Sequence, residues 1–440
     1  MARSSSIFMR MTVVVAALLA PRLARGDEGG PASRGGGHDD ACAVISRANV
    51  VACASGSPAI RAGREAVSAA EGRRTAAQPW FPSNPTLSLS AAQRSGGTPR
   101  TEAFNFTAAL GQEIDVSGQR ASRRRAADAD LAARSLEVTA VSRRVAADAY
   151  AAYYEAIAAR EALAVARRLE AVAEKVARVT RARADAGVGS AVDADVTDAT
   201  ALRQTRARMD AERDERVALA TLATVLGRDP VRAAPEVSGD LAPLPGSDAL
   251  AASAAPLRAP RERPEVRALD ADERAFVARA EAYRRARVPT LTLQIFAQND
   301  GFDERVLGGG LVLPLPLPQP VGRTYVGEAA EASAFASQAA ARAELLARAF
   351  TRELAVALAT YESARAQVAL YTRERVARTE KTLGDMAAEI EAGRLAVRDA
   401  VVAQRELVEI LRSELEARHA LAHASIELAL AAGAPLEVSR

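Results

Sequence analysis

The stretch from Val165 to Val179 decides the fold of this chain, and it reads VARRLEAVAEKVARV. Its larger apolar residues recur at alternating steps of four and three, at Val165, Leu169, Val172, Val176 and Val179. The same seven-residue lattice returns later, at Val401, Val408, Leu411 and Leu415. This is the period of a coiled coil. Both stretches therefore predict helices that pack side by side and nearly parallel over long distances.

Proline placement shows how far these helices extend. The chain has no proline at 100–229 or at 321–434. Because proline costs about 3 kcal/mol inside a helix, two such stretches rich in Ala, Arg, Glu and Leu predict long helices. A single helix from Gln119 to Ala186 would reach roughly 100 Å at about 1.5 Å per residue, which is too long for the core of a compact domain.

The segment 228–263 separates the two helical stretches. Prolines recur through it and just after it, at Pro230, Pro235, Pro243, Pro245, Pro256, Pro260 and Pro264. We expect an irregular linker there.

Glycines mark the ends of the long helices. Gly187 and Gly189 flank a single valine at the end of the first stretch, and Gly393 interrupts the second. Glycine takes the left-handed conformation that closes a helix, so each position predicts a turn into a second long helix running back. Two helical hairpins result.

A different periodicity precedes each long helix. Residues 86–90 alternate polar and apolar side chains, and the alternation returns at 104–107 after a Gly-Gly and Pro-containing break. Residues 290–295 and 306–313 repeat this around Asn299-Asp300-Gly301. The pattern predicts two β-hairpins, at 85–112 and 289–318, with strands about ten residues long.

The two halves repeat one unit. Pro85 and Pro289, Gly118 and Gly322, and Gly189 and Gly393 are each 204 residues apart. This constant spacing indicates an internal duplication. The predicted organisation is a first repeat at 27–227 (an N-terminal helix, the β-hairpin and a helical hairpin at 118–227), the linker, a second repeat at 264–433 (a helix, the β-hairpin and a helical hairpin at 322–433) and a tail at 434–440.

Composition excludes several classes of function. The chain of 440 residues is 49% hydrophobic but only 4% aromatic, with 3 His and 2 Cys. These counts argue against a metalloenzyme, a haem protein, a base-stacking nucleic-acid binder and a disulfide-rich scaffold. No Ser/His/Asp or Cys/His set suggests a nucleophile, so we predict no enzyme activity and no cofactor.

The first 26 residues are typical of a secretory signal peptide. They combine a basic start, a short apolar stretch and small residues before Asp27. Removing the four arginines of this segment leaves 54 basic residues against 55 acidic ones, so the mature chain is near neutral and no nucleic-acid partner is expected.

Three groups of side chains have an open interpretation. Cys42 and Cys53 are eleven residues apart, which in an exported chain favours a disulfide, with two small buried apolar residues as the alternative. His419 and His423 are four apart on a helix and within reach of one metal ion, although packed or exposed histidines are the default. Packing explains the tyrosine cluster at 150–154 better than ligand binding does.

The predicted strands have the length and alternation of strands that cross an outer membrane. Four strands do not close a barrel, and an open sheet edge in lipid leaves unsatisfied backbone groups at several kcal/mol each. Closure therefore demands several copies of the chain, and three would supply twelve strands and a helical tube. The low aromatic content predicts a barrel short of aromatic girdles.

Considered together, these features resemble the trimeric outer-membrane efflux proteins of the TolC type. The resemblance depends on the order and spacing of short motifs over nearly the whole mature chain. They are Asn84-Pro85-Thr86-Leu87, Gly111-Gln112-Glu113-Ile114 through Gly118-Gln119-Arg120, Arg263-Pro264-Glu265-Val266, Ala286-Arg287-Val288-Pro289-Thr290-Leu291, and the Leu- and Pro-rich run from Leu311 to Pro320 before Gly322-Arg323.

The resemblance implies a passive export duct in the outer membrane of Gram-negative bacteria. The fold it implies is mainly α with a small β part, in which a homotrimer joins a 12-stranded outer-membrane β-barrel to a periplasmic α-helical barrel. The implied partners are a periplasmic adaptor protein, an inner-membrane transporter of the RND or ABC type, and outer-membrane lipid.

The resemblance also assigns roles to residues at the periplasmic tip. It aligns one acid of the family's selectivity ring with Asp399, while the second acid falls on Val402. Acids at the other tip, Asp193, Asp195 and Asp198, would restore the missing charge if they face the lumen. Stabilisation of a helix start is the equal alternative for the first two.

Further tip residues are assigned in the same way. An inter-helix ion pair of Arg394 would hold the closed state, with a solvated arginine as the alternative. Gly187, Gly189 and Gly393 combine a turn with the adaptor-docking surface that the resemblance implies.

Two other functions remain open. The outer-membrane duct of a type I protein secretion system would have nearly the same sequence, because the duct is passive in both systems. A periplasmic coiled-coil scaffold without a pore would explain the helices but not the paired β-hairpins.

Overall fold

A computed structural model describes residues 42–96, 101–231, 235–299, 304–318 and 321–436. The expected signal peptide and the last four residues of the tail lie outside the described residues. The described residues from 44 onward form one compact unit, which carries every helix and strand given next.

This unit is mainly helical with a small sheet part, as predicted. Its helices are α1 (Val50–Ala54), α2 (Pro58–Ala76), α3 (Gln119–Asp185), α4 (Ala191–Val225), α5 (Ser247–Ser253), α6 (Pro264–Arg285), α7 (Val326–Ala369), α8 (Arg373–Glu391) and α9 (Val397–Ala431). Its strands are β1 (Val44–Ile45), β2 (Thr86–Gly96), β3 (Thr101–Ile114), β4 (Glu236–Val237), β5 (Leu291–Asn299) and β6 (Arg305–Val312).

Helix α3 is a single helix of 67 residues that ends one residue before the predicted position. At about 1.5 Å per residue it is roughly 100 Å long. It contains no proline, and its most frequent buried residue is alanine, which has the highest helix propensity. Gly118, at a φ of +74°, precedes its first residue. The sequence alone therefore suffices to predict this helix.

The equivalent stretch of the second repeat is not one helix. It breaks into α7, of 44 residues, and α8, of 19 residues, at Leu370–Thr372. The hydroxyl of Thr372 accepts a hydrogen bond from the amide of Arg375 (3.4 Å) and so caps the start of α8. The stretch lacks proline and glycine at this point, which is why the proline rule predicts no break.

The heptad stripes pack as predicted. Leu169 and Val176 of α3 lie in one buried cluster with Val408 and Leu411 of α9. Helix α8 fills the third side of this cluster with Leu383, Met386, Ala387 and Ile390. The second helical hairpin thus packs against the long helix of the first repeat.

Alanines are frequent where α6 packs against its neighbours. Helix α6 packs against α3 and α7 mainly through alanines. The buried alanines of α6 and α7 are Ala268, Ala271, Ala275, Ala278, Ala280, Ala329, Ala332, Ala336, Ala339, Ala343, Ala357 and Ala364. Close helix packing thus explains why the chain is rich in apolar residues and poor in aromatic ones.

One of the motifs that carry the resemblance has a structural role. Arg263 is buried and donates hydrogen bonds to the carbonyls of Leu430 (3.1 Å) and Ala431 (3.3 Å) at the end of α9. Its guanidinium carbon lies 3.5 Å from the ring centroid of Phe350. A cation at the carbonyl end of a helix is stabilising, so Arg263 fixes the end of α9 to the start of α6.

The segment between the two helical stretches is irregular over most of its described length, but it also contains short regular elements. Its residues 235–262 include β4, α5 and a short 3-10 helix at Pro260–Glu262, and β4 pairs in parallel with β1. Tyr153 and Tyr154 of α3 donate hydrogen bonds to the carbonyls of Ser238 (2.8 Å) and Ala242 (2.7 Å). Proline excludes helix but not extended chain, and α3 supplies the donors that this chain's carbonyls need.

The tyrosine cluster is a packing feature, as predicted. Tyr150, Tyr153 and Tyr154 are among the most deeply buried large side chains of the described residues. Burial raises the pKa of Tyr154 to about 12, so its hydroxyl stays protonated and keeps its hydrogen bond at any physiological pH.

The structure also resolves the cysteines and places the histidines. Cys42 and Cys53 are both disulfide-bonded, which decides between the two interpretations of these residues. His419 lies 3.1 Å from a carboxylate oxygen of Glu155, and His423 lies 3.5 Å from Glu427. In the described part of the chain, no three His, Cys, Asp or Glu side chains are grouped so as to hold a metal ion.

Candidate functional site

The tip of the first helical hairpin is a tight glycine turn between α3 and α4. Gly187 has a φ of +73°, and its amide donates to the carbonyl of Ala184 (3.0 Å) while the amide of Val188 donates to Arg183 (3.0 Å). The side chain of Ser190 then caps α4 by accepting from the amide of Val192 (3.2 Å). Gly189 packs so closely on the end of α3 that a Cβ there would lie 3.2 Å from backbone atoms.

The tip of the second hairpin uses the same turn between α8 and α9. Gly393 has a φ of +71°, and its amide donates to Ile390 (3.0 Å) while the amide of Arg394 donates to Glu389 (3.0 Å). This pairing closes a helix through a left-handed residue, a conformation that favours glycine. The three glycines predicted from the sequence therefore lie at the two tips.

The acids of the first tip are partly neutralised within their own hairpin. Arg181 of α3 donates to Asp195 (3.0 Å) and to Asp198 on α4. These two hydrogen bonds raise the pKa of Arg181. Asp193 lies in the first turn of α4, half-buried, where the helix dipole favours an acid.

Asp399 at the second tip has a different environment. It is exposed in the first turn of α9, and among the described residues it has no ion-pair partner. Val402, three residues on, is exposed as well. One carboxylate at this tip is therefore available to interact with other molecules.

Arg394 forms an ion pair within its own hairpin. Its guanidinium donates two hydrogen bonds of 2.7 Å to the two carboxylate oxygens of Glu389 on α8. The pair lowers the pKa of Glu389 and raises that of Arg394. Both side chains are substantially exposed, so the pair is weakened by solvent.

The residue that joins the two tips was missed from the sequence. Arg183, in the last turn of α3, donates to the carbonyls of Ile390 (2.6 Å) and Glu391 (3.0 Å) at the end of α8. It thereby adds a donor at the last carbonyls of α8, where the carbonyl of Ile390 also accepts from the amide of Gly393. An arginine in a last turn indicates capping of a helix end, but nothing local shows that the capped helix lies 207 residues away.

Above the tips, the four longer strands form one antiparallel sheet in the order β2-β3-β5-β6. The two β-hairpins join through β3 and β5, in a register that pairs Phe106 with Asn299 and Ile114 with Leu291. Strands β2 and β6 each have a partner on one side only within this sheet.

One face of this sheet is apolar and open. The registers align its side chains across all four strands, and most of the large ones are exposed. We name this set the apolar sheet face: Leu87, Leu89, Ala91, Phe104, Phe106, Ala108, Leu110, Leu293, Ile295, Ala297, Leu307, Gly309 and Leu311.

The opposite face is mainly polar, with Ser88, Ser90, Asn105, Thr107, Gln294 and Gln298 among its side chains. A sheet that exposes its apolar side chains to the outside fits contact with lipid. Within the described ranges, every helix is too short or too polar to cross a membrane.

Comparisons with known proteins agree with this geometry. Residues 51–228 match the family described as outer membrane efflux protein. Protein CyaE of Bordetella pertussis strain Tohama I is 33% identical over 244 residues, which cover 54% of this chain and 51% of that protein. The chain thus matches about half the length of this curated relative.

Two solved structures share the fold. The outer-membrane channel OprN is 18% identical, with a TM-score of 0.70 over 89% of this chain and 90% of that one. The outer membrane protein VceC of Vibrio cholerae is also 18% identical, with a TM-score of 0.70 over 88% of this chain and 96% of that one.

The chain, with its β-hairpins and long helical hairpins, thus shares the fold of these outer-membrane channel structures. The match to the outer membrane efflux protein family covers residues 51–228, mostly in the first half of the chain. The matched family and both of these solved structures are described as outer-membrane proteins.

Proposed function

We propose that three copies of this chain form the outer-membrane duct of a tripartite efflux system. The duct would conduct substrates passively from an inner-membrane pump and a periplasmic adaptor, across the periplasm and the outer membrane. The observation that carries the proposal is the four-stranded sheet, which combines an exposed apolar face with two open edges.

Closure of the sheet follows from the energetics of lipid. Backbone groups without partners cost several kcal/mol each in the bilayer, so β2 of one copy has to pair with β6 of the next. Three copies of a four-stranded sheet give twelve strands, joined below to a tube of long helices. The trimer is a proposal, supported by the shared fold and by the resemblance of the sequence.

A paired substitution tests the lipid face. An arginine near the middle of a lipid-facing surface costs about 2–4 kcal/mol. Leu89→Arg lies on the apolar sheet face, and Ser90→Arg is its neighbour on the polar face. We expect Leu89→Arg to reduce the cross-linked trimer in outer-membrane fractions strongly, while Ser90→Arg assembles normally.

Recovery of the unmodified protein as a periplasmic monomer would contradict the channel and favour the scaffold without a pore. Bilayer recordings of the purified protein complete the test. We expect stable single-channel conductance from wild type and Ser90→Arg.

We propose that the gate lies at the two tips. Asp399, together with Asp193, Asp195 and Asp198, would supply the negative charge that attracts cations, and Arg394 would contribute to the closed state. Asp399→Asn should lower cation selectivity and cation block in bilayer recordings. An unchanged current–voltage relation would remove Asp399 from the gate.

The glycine tips would form the docking surface for the adaptor, since Gly187, Gly189 and Gly393 lie at the ends of the helical hairpins. The pump would supply the energy, because a duct of this kind has no chemistry of its own. Cross-linking at the tips in whole cells would identify the adaptor and, through it, an RND or ABC transporter.

The likeness to Protein CyaE favours a second candidate, the outer-membrane duct of a type I protein secretion system. Both candidates require the same fold and partners of the same kind. Capture of an RND pump supports efflux of small substrates, whereas capture of an ABC exporter with a protein cargo supports secretion.

A further inference from the structure

Two exposed aromatic residues lie where the helices meet the sheet. Trp80 is 76% exposed and Phe81 is 52% exposed, and both lie on the segment that joins α2 to β2. Large aromatic side chains this open to solvent are uncommon unless they contact another molecule. The apolar sheet face starts at Leu87, only six residues further along the chain.

These residues are held in place by hydrogen bonds. Arg120, in the first turn of α3, donates to the carbonyls of Gln78 (2.9 Å) and Pro79 (3.1 Å), and its guanidinium carbon lies 3.9 Å from the centroid of the Trp80 ring. Gln112 of β3 donates to the carbonyl of Ser83 (2.9 Å). The Trp80 ring is therefore held by Arg120, and the segment that carries both aromatic residues is fixed to α3 and β3.

The second repeat places aromatic residues at the same junction. Tyr283, in the last turn of α6, stacks on Tyr325 just before α7, with 6.4 Å between the ring centroids. The guanidinium carbon of Arg323 lies 4.8 Å from the centroid of the Tyr325 ring. Both repeats thus place an arginine over an aromatic ring at the helical end of the strands.

Aromatic residues also lie on the apolar sheet face itself. Phe104 pairs with Gln93 in the far half of β2, and Phe106 pairs with Ala91 at the middle of that strand. From Leu87 to Gln93 the sheet rises about 20 Å at roughly 3.3 Å per residue, close to the apolar height of outer-membrane proteins. Exposed aromatic residues thus lie on the apolar sheet face as well as at its helical end, although the low aromatic content predicts a barrel short of aromatic girdles.

We propose that Trp80 and Phe81 are an interfacial anchor that inserts into the phospholipid headgroup layer on the helical side of the membrane. Three features support a lipid occupant: continuity with the apolar sheet face, the preference of Trp for the membrane interface, and arginines able to face lipid phosphates. The anchor rests on the proposed function, because it requires the sheet to lie in the membrane.

The sequence itself provides the probe, because Trp80 is the chain's one tryptophan. The full chain is reconstituted in vesicles of phosphatidylethanolamine and phosphatidylglycerol that carry brominated lipid, with the bromine either near the headgroup or at the end of the acyl chain. We expect Trp80 emission to be quenched more strongly by the bromine near the headgroup.

A control moves the tryptophan to the periplasmic helices. Trp80→Phe combined with Tyr371→Trp places it in the turn between α7 and α8, where only the water-soluble quencher acrylamide should act. In the Arg120→Gln variant, Trp80 loses its fixed position, and the difference between the two bromine depths should shrink.

Three results would overturn the anchor. Quenching by acrylamide alone places Trp80 in water, and blue-shifted emission without quenching by any bromolipid places it under a second copy. Equal quenching of Trp80 by the two bromolipids would show that this residue has no preferred position at the membrane interface. Conductance measured on the same vesicles separates the two proposals, since a conducting channel with unquenched Trp80 refutes the anchor and leaves the duct intact.

Discussion

The first helical hairpin, α3 with α4, and the second, α8 with α9, turn on glycines of nearly equal φ, +73° at Gly187 and +71° at Gly393. Their apolar surfaces are used differently. Helix α8 buries Leu383 and Ile390 against α3, whereas large apolar residues of α4 such as Leu202 remain exposed. The second hairpin is thus stabilised inside one chain, and the first presents a face that another copy or a partner has room to cover.

The two tips also differ in whether their acidic side chains are paired. Arg181 neutralises two acids of the first tip, while Asp399 of the second tip has no ion-pair partner among the described residues. Arg183 then connects the two hairpins through the carbonyls at the end of α8. The first tip is therefore closed on itself, and the second tip is joined to its neighbour.

The largest expected effect distinguishes the two apolar surfaces. Leu383→Ala removes a side chain that is 3% exposed and leaves a cavity, so the free energy of unfolding should fall by about 2–5 kcal/mol. Leu202→Ala, at a side chain that is 71% exposed, should change it by less than about 0.5 kcal/mol. Urea unfolding followed by helical circular dichroism measures both.

Equal losses for the two leucines would mean that the α4 face is as buried in the assembly as the core is in the chain. Measuring Leu202→Ala both on the cross-linked trimer and on dissociated chains would show whether the loss of stability arises from contacts between copies.

The next effect tests whether the turns are equivalent. Gly393→Ala and Gly187→Ala both place a Cβ at a positive φ and should each destabilise the chain by about 1–2 kcal/mol. Gly384→Ala is the matched control, because Gly384 lies inside α8 with open space around its Cα. There the change should stabilise by about 0.5–1 kcal/mol. Thermal unfolding of the three variants gives opposite signs if the turns are as described.

The same comparison shows what the sequence reveals and what it does not. Helix α3 was predictable to within one residue because proline, alanine and the heptad stripe all act locally. The break before Arg373 depends on a single capping threonine, and the ordered segment 235–262 depends on donors from Tyr153 and Tyr154. Arg183 acts on carbonyls that are near only after folding, so composition and spacing give no sign of it.

A smaller effect is expected at the link between the hairpins. Arg183→Ala removes two hydrogen bonds to α8, worth about 1 kcal/mol at this half-buried position, which corresponds to about a fivefold shift towards separated tips. Bilayer recordings should show a higher open probability. Arg178→Ala is the control, because its ion pair with Glu174 lies within α3 and should leave gating unchanged.

An unaltered open probability in Arg183→Ala would show that the two hairpins move together without this link. The buried cluster of Leu169, Val176 and Ile390 would then be the remaining connection between them.

The smallest effect concerns the ion pair of Glu389 and Arg394 at the second tip. The pair lowers the pKa of Glu389 below its ordinary value of 4.5. A group whose pKa is lower in the folded state stabilises fully above its ordinary pKa, and this contribution is lost as the pH falls through the lowered value. The difference in thermal midpoint between wild type and Glu389→Gln should therefore be constant between about pH 5 and pH 8 and vanish in stronger acid.

High salt gives a second test of the same ion pair. Because both partners are exposed, the difference should also shrink in about 1 M salt, where the screening length falls to roughly 3 Å. Arg394→Gln should reproduce the behaviour of Glu389→Gln if the two residues act on each other. A midpoint difference that grows in acid would have the wrong sign for this pair, and it would indicate that Arg394 binds a different group in the assembled tip.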